Sequence, residues 1–139
     1  MDATDQEVVD AARAAHANGF IMSMPGGYDM ELHEGASNIA QGQRQLLTIA
    51  RAFLSDPEIL ILDEATQGID VEAKTQIYHI MDELARKGKS ILFISSDLSE
   101  VMGISDRILT MRHGRVVNIT DGKKADKDQI LWEATVGNK

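Results

Sequence analysis

The sequence predicts an α/β fold: a mostly parallel sheet flanked by helices, followed by a carboxyl-terminal β-hairpin. Three observations carry that expectation. Ile59-Leu60-Ile61-Leu62 is an unbroken aliphatic run ending in Asp63-Glu64, as expected of a parallel strand buried on both faces. A helical pattern from Val71 to Lys87 separates it from a second buried strand, Ser90 to Ser95, with Ile91, Leu92, Phe93 and Ile94 consecutive, and strand–helix–strand implies a parallel pair. Arg107 to Met111 and Arg115 to Ile119 then flank His113-Gly114, a two-residue hairpin signal.

Taken in order, Asp5 to Ala17 places Val8, Val9, Ala12 and Ala15 to Ala17 at helical spacing. Phe20, Ile21 and Met24 either continue that apolar face or open a short second helix. Pro25-Gly26-Gly27 is a turn, and the loop Gly35-Ala36-Ser37-Asn38 has N-cap chemistry at its end. A long helix is expected from Gln41 to Ser55, stopped by Asp56-Pro57 because proline cannot continue the helical ladder. After the first strand, Ala65 to Asp70 reads as a polar loop, and Gly88 as the stop of the next helix. A short helix from Asp97 to Gly103, a charged linker from Asp121 to Asp128 and a terminal helix from Gln129 to Val136 complete the chain.

Composition narrows the function classes. Hydrophobic residues at 43% and charged residues at 26% suit a soluble globular protein of 139 residues. A net charge of −8 argues against a nucleic-acid surface and against adsorption to anionic lipid. Cysteine is absent, which excludes disulfides and thiolate metal sites. No apolar run reaches the length of a membrane span, and the acidic stretch Met1 to Asp10 is unlike a signal peptide. His16, His33, His79 and His113 lack metal-ligand spacing and read as surface or partly packed positions.

Ligands of open α/β sheets collect beyond the carboxyl ends of the strands, where Asp63 and Glu64 fall. One carboxylate there suits Mg²⁺, and a second suits orienting or deprotonating a water. Equally, acidic residues simply end a strand and cap the next helix.

The order Asn38-Ile39-Ala40-Gln41-Gly42-Gln43-Arg44-Gln45, helix, Asp56-Pro57, strand, Asp63-Glu64-Ala65-Thr66 resembles the signature and Walker B regions of ATP-binding-cassette (ABC) transporter ATPases. Gln67-Gly68-Ile69-Asp70 stands where that family has its D-loop, and Ile94-Ser95-Ser96-Asp97 where it has its H-loop. The resemblance implies a partial phosphate-loop NTPase-type fold. Residues 1–55 would be its helical and signature region, 56–120 its sheet-and-helix core and 121–139 a tail. Residues Thr4 to Thr66 look exporter-like, and those from Gln67 onward look like the second cassette of monosaccharide importers. The chain thus reads as a chimera or a divergent natural homologue.

By the same resemblance, ATP would be sandwiched between two cassettes paired head to tail. Ile39, Ala40, Gln41, Gly42 and Gln43 would face the γ-phosphate at a helix N-terminus. Glycine at 42 would let the backbone approach closely. Ala40 replaces the usual signature serine, and the lost hydrogen bond to a charged group is worth roughly 1.5–3 kcal/mol. Asp63 would hold Mg²⁺, Glu64 would act as general base, and Asp70 would lie at the dimer seam, with a helix N-cap as its compatible alternative role. Ser96 replaces the H-loop histidine as a degenerate catalytic position.

A phosphate loop is missing: Gly88-Lys89-Ser90 has Glu83 where the first glycine belongs, and it follows a helix rather than a strand. The expectation is therefore a partial nucleotide-binding domain, cytoplasmic and peripheral to the membrane, with a second such domain and a permease as partners. It would serve a transporter for sugar import or lipid or drug export, and be inactive as an ATPase alone. The alternative is a truncated or engineered α/β module that does not bind ATP by itself.

Overall fold

The computed structural model describes residues 3–137, which divide into two compact units between Phe93 and Ile94. In the first unit, α1 (Asp5–Ala14) opens with a capping box. Glu7 N–H donates to Thr4 Oγ1 at 3.3 Å, and Glu7 Oε2 accepts from Thr4 N–H at 2.8 Å. The helix stops short of the expected Ala17 because His16 takes a left-handed φ of 54°. Ala15 and Ala17 are nevertheless fully buried, and a separate short helix, α2 (Asn18–Ser23), carries Ile21 into the core.

α3 (Gln41–Ser55) has the bounds that the sequence predicts and ends at Asp56, whose φ of 40° turns the chain out of the helix. Its N-cap is Ala40, which offers no side-chain acceptor. Asn38, expected to supply cap chemistry, instead accepts from His33 N–H at 3.1 Å and donates to the Glu31 carbonyl at 3.3 Å. α1 packs on α3, and α3 on α4 (Val71–Arg86). Leu46 and Ile49 of α3 and Ile77 and Ile80 of α4 are almost wholly buried. α4 closes as expected at Lys87 and Gly88, with Lys89 N–H donating to the Leu84 carbonyl at 3.1 Å.

β1 (Ile59–Asp63) and β2 (Ser90–Ile94) form a two-stranded sheet. Ser90 N–H donates to the Glu58 carbonyl at 3.0 Å, which joins the starts of the two strands, so they run parallel as expected. The expectation of burial on both faces is corrected here. Leu62 is buried, but Ile59 and Ile61 are 61% and 62% exposed, and Leu92 and Ile94 are exposed too. Burial alternates along both strands, as side chains alternate between faces, and Leu60 on the less exposed face meets Ile49 and Phe53 of α3 and Leu84 of α4.

The second unit contains α5 (Leu98–Ile104), capped by Asp97, and an antiparallel sheet of β3 (Arg107–Arg112) and β4 (Arg115–Asp121). Asp97 Oδ1 accepts from Ser99 N–H at 2.9 Å and from Glu100 N–H at 3.3 Å. His113 (φ 49°) and Gly114 (φ 75°) make the two-residue turn, both left-handed as the twist of the flanking strands favours. A bulge after Thr110 shifts the register, so Leu109 pairs with Ile119 but Met111 with Val116. α6 (Lys127–Thr135), capped by Asp126, packs on the hairpin and buries Ile130, while Trp132 stays half exposed.

Lys89 braces the entry to the parallel strands with two ion pairs. Ile49 and Phe53 of α3, Leu60 of β1 and Leu84 of α4 surround a cavity of about 20 Å³, and Lys89 lays its stem along the same space. Its ammonium reaches Asp56 at 3.1 Å and Glu58 at 3.4 Å. The hydrogen bond to Asp56, chiefly, raises the lysine's pKa above its ordinary value. A raised pKa in the folded state means the stabilisation is complete below the ordinary lysine pKa and is lost as pH climbs through the folded value. Thermal melts of the wild type and Lys89→Met should therefore differ at pH 8 and converge at strongly alkaline pH. Both acids are exposed, so added salt should narrow the gap at pH 8.

Candidate functional site

The sequence-predicted residues of the first unit converge on the N-termini of α3 and α4 and the loop after β1. Asp63 is the last residue of β1 and is exposed. Glu64 follows it, half-buried, with a φ of 47°. A left-handed backbone costs a non-glycine residue roughly 1–2 kcal/mol, and such strain concentrates at functional sites. The turn is closed by Gln67 N–H donating to the Glu64 carbonyl at 3.0 Å. Beneath it Ala65 and Thr66 are buried, at 5% and 1% exposure, so the polar loop expected from the sequence is anchored in the core at its first two residues.

The signature stretch divides by function of the side chain. Ile39 is buried in the core. Ala40 is exposed, and its N–H donates to Gln43 Oε1 at 3.0 Å, half of a capping box whose other half Ala40 has no oxygen to complete. The first ordinary helical bond of α3 runs from Arg44 N–H to the Ala40 carbonyl at 3.0 Å. The N–H groups of Gln41, Gly42 and Gln43 at the helix start therefore receive no acceptor from the capping residue. Arg44, which the sequence reading gave no role, ties the helix to the preceding loop through the Gly35 carbonyl at 3.0 Å.

Gly42 is buried, and the structure gives it a packing reason of its own. A Cβ there would lie 2.8 Å from Ala73 Cβ and 3.8 Å from Asp70 Oδ2. Asp70 is the N-cap of α4, its Oδ1 accepting from Ala73 N–H at 2.9 Å. One carboxylate oxygen thus caps α4 while the other faces the first turn of α3. Only the spatial neighbour across the loop could have revealed this, and the sequence offers no marker for it.

Ser96 lies in the second unit. It is exposed, between Ser95 and Asp97, whose N–H donates to Ser95 Oγ at 3.0 Å. Ser95 Oγ in turn reaches Glu100 Oε2 at 3.2 Å. The four histidines are exposed, and no group of three or more His, Cys, Asp or Glu among the described residues is placed to hold a metal ion. Among the described residues no helix is long and apolar enough to cross a membrane.

Residues 4–67 match the family described as "ABC transporter". The chain is 49% identical over 99 residues to the galactose/methyl galactoside import ATP-binding protein MglA of Yersinia pestis, 71% of this chain and 20% of that protein. It is 47% identical over 99 residues to the protein of the same description from Sodalis glossinidius (strain morsitans), with the same coverage. Its fold is similar to a bacterial Atm1-family ABC exporter with ATP bound. The TM-score is 0.80 at 30% identity, over 96% of this chain and 22% of that one. The chain spans about a fifth of the length of these curated relatives.

Substitutions at positions 42, 73 and 64 probe the geometry. Gly42→Ala should destabilise the protein by about 1–2 kcal/mol in chemical denaturation, overpacking against Ala73 outweighing the gain in helix propensity. In an Ala73→Gly background the same change should cost nothing, a coupling that a double-mutant cycle reads directly. At position 64, Gly should give a protein about 1 kcal/mol more stable than Ala, since both lose the side chain and only Ala bears the left-handed backbone cost.

Proposed function

Because the chain belongs to the ABC transporter family of ATP-binding proteins, we propose that it supplies one wall of a MgATP site, in a transporter that couples hydrolysis to sugar import. The observation that carries this reading is the hydrogen-bonded path Glu64–Gln67–Gln41. It links the strained acidic end of β1 to the uncapped N-terminus of α3. Such a helix start attracts the oxygens of a phosphate through its unpaired N–H groups and its dipole. Bound Mg²⁺ would neutralise phosphate charge beside Asp63. Glu64 is proposed as the base that orients a water and takes its proton, and Asp70 as a residue of the seam with a second cassette. Ser96, at the H-loop position, offers a hydroxyl for hydrogen bonding in place of an imidazole.

Sugar import is favoured over export because the curated relatives at 47–49% identity are named as galactose/methyl galactoside import ATP-binding proteins, against 30% for the exporter. A permease and a second nucleotide-binding domain are the partners this reading requires. A second reading, a module that does not bind nucleotide alone, draws on the absence of a Gly-x-x-x-x-Gly-Lys-Ser/Thr sequence from the chain.

Titration of the purified chain with MgATP separates the two. The first reading expects saturable, Mg²⁺-dependent binding that Asp63→Asn weakens by about tenfold, or about 1.4 kcal/mol. Glu64→Gln should leave that affinity nearly unchanged. No saturation at millimolar MgATP would favour the second reading.

A further inference from the structure

We propose that Gln41 is a positioning residue, its side-chain amide acting as a strap that holds the Glu64 turn against the first turn of α3. The inference rests on the MgATP reading for its purpose, and on geometry alone for its existence. Gln41 Nε2 donates to the Gln67 carbonyl at 2.9 Å, across 26 residues of sequence. The same residue, Gln67, donates its N–H to the Glu64 carbonyl. Gln67 is thereby held on both sides, by the acidic turn through its N–H and by the signature helix through its C=O.

Gly68 shows that the amide has a seat. Its φ is 70°, and a Cβ on it would stand 3.2 Å from Gln41 Oε1 and 3.3 Å from Gln41 Nε2. The chain is left-handed and bare of a side chain at the spot where the amide lies. Two helix starts meet beside it through Gly42 and Ala73, so the strap closes a loop whose other end is fixed by packing. A solvent-exposed glutamine at the start of a helix ordinarily gains little from one fixed rotamer. Here the fixed rotamer restrains the residue that closes the turn of the proposed general base.

The strap requires a donor of glutamine's reach, which sets the test. Backbone amide exchange and the Glu64 ¹³Cα shift are measured by NMR on the nucleotide-free chain and on Gln41→Ala, Gln41→Glu and Gln41→Lys. In Gln41→Ala the Gln67 amide should exchange about tenfold faster, and the Glu64 shift should move away from its left-handed value. Ile77 and Ile80 in α4 should keep their wild-type rates. Gln41→Lys, which keeps a donor of similar length, should restore protection, and Gln41→Glu, which has none, should not. The proposal is overturned if Gln67 exchange in Gln41→Ala stays within about twofold of wild type. It is overturned equally if Gln41→Glu protects as wild type does, or if Ile77 and Ile80 loosen in step with Gln67. None of these readouts needs nucleotide, so absence of MgATP binding would remove the nucleotide reading while the exchange rates still decide on the strap.

Discussion

The contact between Gly42 and Ala73 is the constraint on which the site depends. Two helices that each begin beside the same loop approach so closely that one lacks a side chain and the other has a single methyl. Close approach brings Asp70, which caps α4, alongside the first turn of α3. It also brings Gln41 within reach of the loop that leaves β1. The acidic strand end, the helix start and the N-cap are therefore one mechanical unit rather than three motifs in a row. The first turn of α3 is thereby tied, through Gln67, to the turn that carries Glu64.

The Glu64 turn shows how such a framework keeps a costly conformation. Its left-handed backbone would relax in an isolated peptide. In the folded chain Ala65 and Thr66 are drawn into the core immediately after it, and the Gln67 N–H closes the turn. Burial of the following residues offsets the local strain. The carboxylates of residues 63 and 64 are consequently presented at the end of the strand, where α/β folds bind ligands.

The β1–β2 sheet is covered on one face only, and its other face displays Ile59, Ile61, Leu92 and Ile94. The β3–β4 hairpin likewise shows Leu109, Met111, Val116 and Ile119. Among the described residues, the ABC resemblance thus rests on motif order, on the β1–α4–β2 unit and on the signature helix, not on a complete sheet.

Much of this was legible in the sequence because local chemistry determines it. Gln41 to Ser55 has helical periodicity and a proline beyond its end, and Asp70 is an N-cap because a short acidic side chain reaches back to a free amide. His113-Gly114 is a hairpin turn because both positions accept positive φ. The aliphatic run from Ile59 to Leu62 was different. A continuous apolar strand looks the same from sequence whether one face or both are covered, since covering is done by residues elsewhere in the chain. The packing role of Gly42, the strain at Glu64 and the reach of Gln41 to Gln67 likewise belong to the tertiary structure, for each is a relation between segments that only folding brings into contact.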